Sequence, residues 1–231
     1  PDETTVLPQQ MHVDWVRVYE RDADAHAATF HNGGFEEGGG VLAGWSVVGD
    51  KIAGNPNIRL ASEAVANGKH ALKLFGVFDS SRTSYSGVSQ GITVQPGATV
   101  NASLMACTRA EDSIAGSDNR AVLKIEFYHE FGGKYGSGQM ISEQEKVVAN
   151  GDSRENAWQE QTFSAAVPAG AVEARLSVIF CQPSAAAGSV YIDDVSLAST
   201  LPQAAAGDYH GRSTANAAYQ PRAATPVAAI K

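Results

Sequence analysis

Two pairs of carboxylates stand far apart in this sequence. Glu36 and Glu37 belong to the stretch HNGGFEEGGG, and Asp193 and Asp194 belong to VYIDDVSL. If the strands that carry them are neighbours in a sheet, the carboxylates could meet, and their repulsion would raise one pKa. A calcium ion, which takes several oxygen ligands, would relieve that repulsion. The alternative is that one acid of each pair is plain surface and the other caps a turn.

The histidines, the cysteines, the net charge and the apolar runs argue against several classes of function. The six histidines are scattered without the spacing of metal ligands, and Cys107 and Cys181 are too few for a cysteine-rich zinc site. Whether these two cysteines form a disulfide stays open. The net charge of −8, without a cluster of Lys and Arg, argues against nucleic acid as a partner. No apolar run approaches the roughly 20 residues of a membrane-spanning helix, so we expect no membrane partner.

The elements that position these side chains are strands, because apolar residues recur at every second position. The stretch AVLKIEFYHE is typical, with an apolar set and a polar set that face opposite ways. The apolar set is Leu123, Ile125 and Phe127, and the polar set is Lys124, Glu126 and Tyr128. The stretches NASLMACTR and ARLSVIFCQP repeat the pattern, and turn signals such as Pro96-Gly97 separate them. Many short strands and almost no helical periodicity predict an all-β fold, an antiparallel β-sandwich.

The composition changes along the chain and predicts four parts. Residues 1–21 form an extended segment that ends in the strand MHVDWVRVYE, and residues 22–29 form a linker. Residues 30–199 hold the predicted sandwich. Residues 200–231 are rich in Ala and Pro, cannot bury enough apolar surface to order themselves, and are predicted to be a linker or a disordered tail.

Three motifs in the central part resemble one family in their order and spacing. They are HNGGFEEGGG followed by GW, NGKHALKLFG followed by GVSQGITVQPG, and AWQEQTFSAAVPAG followed by VYIDDVSL. Together they resemble a CenC-type carbohydrate-binding module, the group of families 4, 9 and 22. The resemblance implies a jelly-roll, galactose-binding-like sandwich.

The opening strand resembles a second family. VDWVRVYE is similar to the last strand of the catalytic jelly roll in family 16 glycoside hydrolases. That family's E-x-D-x-E strand is absent here, and glycoside hydrolysis needs two carboxylates held at a fixed separation. We therefore expect residues 1–21 to be the remnant of an upstream hydrolase domain, an orphan strand packed poorly against the sandwich. We expect the chain as given not to be an enzyme.

The resemblance to a carbohydrate-binding module implies a polysaccharide on the polar face of one sheet. Aromatic faces would stack on sugar rings, and polar side chains would bond to the hydroxyls. The candidates are Trp45, Gln90, Glu126, Tyr128 and Tyr135. Trp45 has packing at the sandwich edge as its alternative, and Tyr128 has plain strand surface. Tyr85 could border the cleft.

The same resemblance implies a structural calcium ion. The family's ligands, carried over to this sequence, are Glu36, the carbonyl of Lys69 and Asp193. The ion would be structural and not catalytic.

The sequence thus predicts a non-catalytic module that targets a secreted family 16-like hydrolase to its polysaccharide. β-Glucan is the first expectation for the ligand, followed by xylan or a marine galactan. We expect a monomer that is secreted, either extracellular or periplasmic, from a bacterium. The alternative function is an extracellular structural or adhesive sandwich that serves as a spacer without binding sugar. A third alternative is an enzyme.

Overall fold

The computed structural model describes residues 29–49, 57–77, 83–134, 138–184 and 187–201. These residues form ten strands and no helix. In chain order the strands are β1 (Ser46–Gly49), β2 (Ile58–Ala61), β3 (Ala71–Phe75), β4 (Tyr85–Thr93), β5 (Thr99–Cys107), β6 (Arg120–Tyr128), β7 (Met140–Ala149), β8 (Gln159–Ala166), β9 (Glu173–Cys181) and β10 (Ser189–Thr200). Among the described residues, no helix is long and apolar enough to span a membrane.

The strands pair into two five-stranded sheets. One sheet has the order β1-β4-β9-β6-β7 and the other has the order β2-β3-β10-β5-β8. Every pairing of named strands is antiparallel. Strands that are distant in sequence, such as β4 and β9, therefore lie side by side. The predicted antiparallel β-sandwich is confirmed.

The hydrophobic core lies between the sheets and follows the predicted alternation. Six inward-facing apolar residues of β6 and β9 are fully buried, namely Leu123, Ile125, Phe127, Leu176, Val178 and Phe180. Residues of β5 from the opposite sheet, among them Val100 and Leu104, join the same cluster. Because side chains alternate across a strand, the remaining residues of β6 and β9 face away from the core. The same alternation therefore determines which residues of β6 and β9 lie on the outer face of the β1-β4-β9-β6-β7 sheet.

Several predictions concern residues outside the described ranges. The opening strand of residues 11–20, most of the linker at 22–29, and the tail beyond residue 201 lie there. Tyr135, a candidate for sugar contact, lies there as well. The four-part division of the chain and the origin of residues 1–21 therefore stay predictions.

The two cysteines lie in different sheets. Cys107 ends β5 and Cys181 ends β9, and both are free thiols. Burial raises the pKa of each thiol above its ordinary value. The structure therefore contains no disulfide between them.

Candidate functional site

A groove of about 400 Å³ lies on the outer face of the β1-β4-β9-β6-β7 sheet. Its lining residues come from all five strands and the adjoining loops. They include Val48, Tyr85, Ser89, Arg120, Val122, Lys124, Glu126, Glu145, Arg175, Ser177, Ile179 and Cys181. The predicted polar face of β6 thus forms part of the groove.

Strand register arranges the outer face in rows that cross the sheet. One row is largely apolar and consists of Val48, Gly87, Ile179, Val122 and Val147. The next row is polar and consists of Ser46, Ser89, Ser177, Lys124 and Glu145. A ligand that crosses the strands would meet an apolar strip and a hydrogen-bonding strip side by side.

Tyr85 lies at one end of the groove. It begins β4, lines the groove, and keeps 41% of its surface exposed. Among the described residues that line the groove it is the aromatic one. The expectation that Tyr85 borders a cleft agrees with this position, so its ring is available to stack against a ligand.

The opposite end of the groove is closed by a charged network. Tyr128 donates a hydrogen bond through Oη to Glu126 Oε2 at 2.9 Å. The Arg175 guanidinium lies over the Tyr128 ring, 4.3 Å from its centroid. Arg175 also donates to both carboxylate oxygens of Glu173, at 2.9 Å and 3.1 Å. A fixed fork of this kind restricts the guanidinium to one orientation.

Burial controls the charge states of two members of this network. It raises the pKa of the Glu126 carboxyl, against the hydrogen bond from Tyr128 and the positive charges of Lys124 and Arg175. Burial also raises the pKa of the Tyr128 hydroxyl, and the neighbouring Glu126 adds to the rise. Tyr128 is therefore a hydrogen-bond donor over the whole physiological range, and Glu126 is its acceptor.

Tyr128 is covered by the loop that follows it. The residue has no exposed surface. A Cβ atom added to Gly133 would lie 2.6 Å from Tyr128 Cδ1, so the loop backbone lies directly on the ring. Gly132 N–H fixes the loop by donating to Glu173 Oε2 at 2.6 Å. The prediction that Tyr128 faces outward is correct, but this ring presents no surface to a sugar.

Lys124 and Glu126 differ in what they offer to a ligand. Lys124 Nζ lies 3.0 Å from Glu143 Oε2 on the neighbouring strand β7. Its side chain is only 14% exposed, so it sits in the groove floor. Glu126 is 6% exposed and lines the groove beside it. Both residues lie on the polar face that the sequence predicts for β6, with small accessible surfaces.

Trp45 packs in the core and not in the groove. Its ring stacks on Phe35 at a centroid distance of 5.3 Å, and Phe30 meets it edge-on at 5.4 Å. The indole Nε1 donates to the Asn32 carbonyl at 2.9 Å, and the residue is 8% exposed. Its ring packs against two phenylalanines, its polar atom is bonded and little of its surface is exposed, so the structure contradicts sugar stacking by Trp45 and supports the packing alternative.

Gln90 points to the opposite side of β4 from the groove. Its side chain follows the inward set with Val88 and Ile92, which are buried in the core. Its amide accepts from His31 N–H at 2.8 Å and donates to the His31 carbonyl at 3.0 Å. Gln90 therefore fastens the segment before β1 to the sheet. The prediction that it lines the cleft was wrong, because it assigned the residue to the wrong face of β4.

The stretch GVSQG at residues 87–91 has G-x-S-x-G spacing. Such spacing forms a nucleophile elbow only where a strand turns sharply into a helix. Here the stretch lies in the middle of β4, and no helix occurs among the described residues. Ser89 is therefore a strand residue of the groove floor.

Two of the predicted calcium ligands meet at the turn of residues 66–70. Glu36 Oε1 accepts the N–H groups of Lys69 and His70, at 2.7 Å and 2.9 Å, and these bonds lower the pKa of Glu36. Asp193 Oδ2 accepts the N–H groups of Ala66 and Asn67, at 2.9 Å and 3.1 Å. The first and last parts of the sandwich are thus joined through one turn.

This arrangement matches the alternative for the acidic pairs, with one acid of each pair holding a turn. Asp193 is fully buried, and burial raises the pKa of its carboxyl. Glu37 and Asp194 are exposed. The carboxylates of Glu36 and Asp193 already accept backbone donors, and no group of three or more His, Cys, Asp or Glu residues suited to a metal occurs in the described ranges. Calcium takes six to eight oxygen ligands, so a site here would draw mainly on backbone carbonyls.

Comparison with known proteins supports the fold. No protein-family model and no curated protein matches the chain. The enzymatically active domain of tailspike protein 4 from bacteriophage CBA120 is similar in structure, with a TM-score of 0.51 and 15% identity over 74% of this chain and 21% of that chain. This likeness agrees with the β-sandwich fold of the chain. The chain spans about a fifth of that tailspike structure, and the likeness concerns the fold alone.

Two shorter solved structures are also similar. One is TmCBM61 in complex with β-1,4-galactotriose, with a TM-score of 0.49 and 16% identity over 74% of this chain and 98% of that one. The other is the C-terminal family 22 carbohydrate binding module of Clostridium thermocellum Xyn10B. Its TM-score is 0.42, with 16% identity over 74% of this chain and 93% of that one.

Proposed function

We propose that the sandwich is a non-catalytic module that binds a polysaccharide in the groove on the β1-β4-β9-β6-β7 sheet. The observation that carries the proposal is the pairing of an exposed ring, Tyr85, with apolar and polar rows that cross five strands. Sugar rings have apolar faces and hydroxyl edges, so such a surface matches them in both respects. The motifs that resemble carbohydrate-binding modules support the same function.

The rows also indicate the direction of the bound glycan. They run across the strands, and five strands at about 4.8 Å spacing give a path roughly 19 Å long. A path of this length suits an oligosaccharide better than a single sugar. The closed end at Tyr128 and Gly133 limits the groove along the strands, which favours a chain that lies across them.

Affinity electrophoresis of the 231-residue chain tests this function. Laminarin, lichenan, xylan and agarose are set into separate native gels, and migration is compared with a gel that contains no polysaccharide. We expect retardation in at least one gel, and free migration in every gel would contradict the proposal and favour a structural spacer. The polysaccharide that retards the parent chain is then used to compare the affinities of the Tyr85 variants.

We further propose that the module targets a secreted bacterial family 16-like hydrolase to β-glucan and acts as a monomer. The resemblance of VDWVRVYE to the last strand of that catalytic domain supports this proposal. Tethering raises the local concentration of an enzyme at its substrate without new contacts. A family 16 catalytic domain fused to the chain should therefore degrade insoluble β-glucan faster than the same domain alone, with equal rates on soluble oligosaccharides.

A structural calcium ion stays a proposal of its own. It is supported by the family resemblance and by the meeting of Glu36 and Asp193 at the turn of residues 66–70. The ion would hold the first and last parts of the sandwich together at that turn. Thermal unfolding with and without a chelator tests it, as set out below.

A further inference from the structure

One row of the groove places an aromatic ring and a guanidinium on either side of a thiol. Tyr85 pairs with Cys181, and Cys181 pairs with Arg120. All three residues line the groove. Two strand spacings, or about 10 Å, separate the backbones of Tyr85 and Arg120. A sugar ring stacked on Tyr85 would therefore direct its outer substituents toward Arg120.

Arg120 differs from the other two cations of the groove. Lys124 is neutralised by Glu143, and Arg175 is neutralised by Glu173. The side chain of Arg120 takes part in no hydrogen bond or ion pair within the described part of the chain. Its side chain is nevertheless partly withdrawn from solvent beside Val122 and the other apolar lining residues. A partly buried cation without a counter-ion favours an anionic ligand.

From these positions we propose that Arg120 forms a subsite for an anionic substituent of the bound glycan, a carboxylate or a sulfate group. The proposal rests on the polysaccharide-binding function proposed above and names the class of glycan that the groove prefers. It replaces the β-glucan specificity, because β-glucan carries no carboxylate or sulfate group. The planar guanidinium matches either anion through two parallel hydrogen bonds. The ring of Tyr85 would hold the sugar that carries the anion.

The acidic side chains near Arg120 do not occupy its guanidinium. Asp118 and Asp152 line a second cavity on the other side of Arg120, and neither forms an ion pair with it. Glu145 is the register neighbour of Lys124, whose backbone lies four residues farther along β6, or about 13 Å. Its charge reaches the Cys181 thiol, but it forms no ion pair with Arg120 among the described residues. The Cys181 thiol lies directly beside Arg120, and burial raises its pKa, so no thiolate competes for the guanidinium at neutral pH.

Titration calorimetry of the full chain tests the subsite. The ligand pairs are xylo-oligosaccharides with and without a glucuronic acid branch, and galactan oligosaccharides with and without sulfate esters. We expect the anionic member of at least one pair to bind roughly tenfold more tightly, as befits a charge-assisted hydrogen bond. That advantage should shrink as salt is added, because salt screens the partly exposed charge.

Arg120→Gln should remove the advantage of the anionic ligand while leaving the neutral ligand nearly unchanged. Arg120→Lys keeps the positive charge but lacks the paired N–H donors of the guanidinium, so it should retain part of the affinity advantage of the anionic ligand. Arg154→Gln, which removes an exposed positive charge outside the groove, is the matched control for net charge and should behave like the parent. Thermal unfolding of each variant reports that it is folded.

The outcomes separate the subsite from the function on which it rests. Equal affinity of the parent for both members of each pair would overturn the subsite and leave polysaccharide binding intact. Equal losses for neutral and anionic ligands in Arg120→Gln would also overturn it, because Arg120 would then bind hydroxyl groups. No binding of either member of any pair would overturn the subsite, whereas the proposed function is overturned only by free migration in all the polysaccharide gels.

Discussion

Arg175 donates two hydrogen bonds to the carboxylate of Glu173, two positions earlier on the same face of β9. Glu173 is 2% exposed and also accepts the Gly132 N–H of the covering loop. Arg175 in turn lies over the Tyr128 ring. The pair therefore connects the sheet, the loop and the ring that together close one end of the groove.

Removing the charge of Glu173 should destabilise the fold. Glu173→Gln loses one acceptor oxygen and leaves Arg175 without its counter-ion, at a cost of about 2 kcal/mol in the free energy of unfolding. Urea unfolding measures this cost. Glu143→Gln, whose carboxylate pairs with Lys124 at a more exposed position, should cost below about 1 kcal/mol. Equal costs for the two variants would contradict the role given to Glu173.

Removing the ring of Tyr85 should weaken polysaccharide binding. Tyr85→Ala loses the stacking surface, and we expect roughly tenfold lower affinity, about 1.4 kcal/mol. Tyr85→Phe keeps the ring and should bind within about twofold of the parent. Both affinities come from the polysaccharide gel that retards the parent. If Tyr85→Ala migrates as the parent does, Tyr85 is not the stacking residue.

Gly91 makes room for the Glu173 carboxylate. A Cβ atom at Gly91 would lie 2.2 Å from Glu173 Oε1, so Gly91→Ala must displace the carboxylate from Arg175. We expect a loss of about 1 to 3 kcal/mol in the free energy of unfolding. Gly34→Ala is the control, since its nearest neighbour atom would lie 3.8 Å away. A Gly91→Ala chain as stable as the parent would show that Glu173 relaxes freely.

The buried carboxyl of Glu126 should make stability depend on pH. Its pKa is raised in the folded chain above the unfolded value of 4.5. The folded state therefore binds the proton more tightly, and this group's contribution to stability falls as pH rises from 4.5 through the raised pKa. Glu126→Gln lacks that loss, so it should gain stability relative to the parent between pH 4 and pH 7. Unfolding curves in that range measure the gain, and a constant difference between the two chains would refute the assignment.

Calcium should raise the melting temperature if the proposed ion is bound. A ligand that binds only the folded chain stabilises it by mass action, so removal by a chelator should lower the melting temperature. Asp193→Asn should abolish the response to calcium, whereas Glu37→Gln, at an exposed neighbour of Glu36, should keep it. An unchanged melting temperature of the parent in chelator would leave the carboxylates as anchors of the turn alone.

The sequence by itself determined the faces of the strands that alternate most clearly. Alternation of Leu123, Ile125 and Phe127 with polar neighbours predicts which side of β6 is buried, because the two-residue period is a property of the extended backbone. The same period predicted the inward face of β9. The sandwich and the outward direction of Glu126 follow from such local patterns.

Tertiary structure alone decided which outward residues are accessible. Tyr128 lies on the predicted face, yet a loop fixed by Gly132 and Glu173, 41 residues apart, covers it. Trp45 is enclosed by Phe30 and Phe35, and local spacing does not report that enclosure. Gln90 belongs to the inward set of β4, and its bonds to His31 span 59 residues.

The groove depends on the same distant contacts. Tyr85, Cys181 and Arg120 come from three strands that are far apart in sequence, and only the register of β4, β9 and β6 aligns them. Periodicity fixes the face on which a side chain lies, since it depends on the backbone of one strand. The neighbours that a side chain meets depend on register and loop packing, which long-range contacts determine.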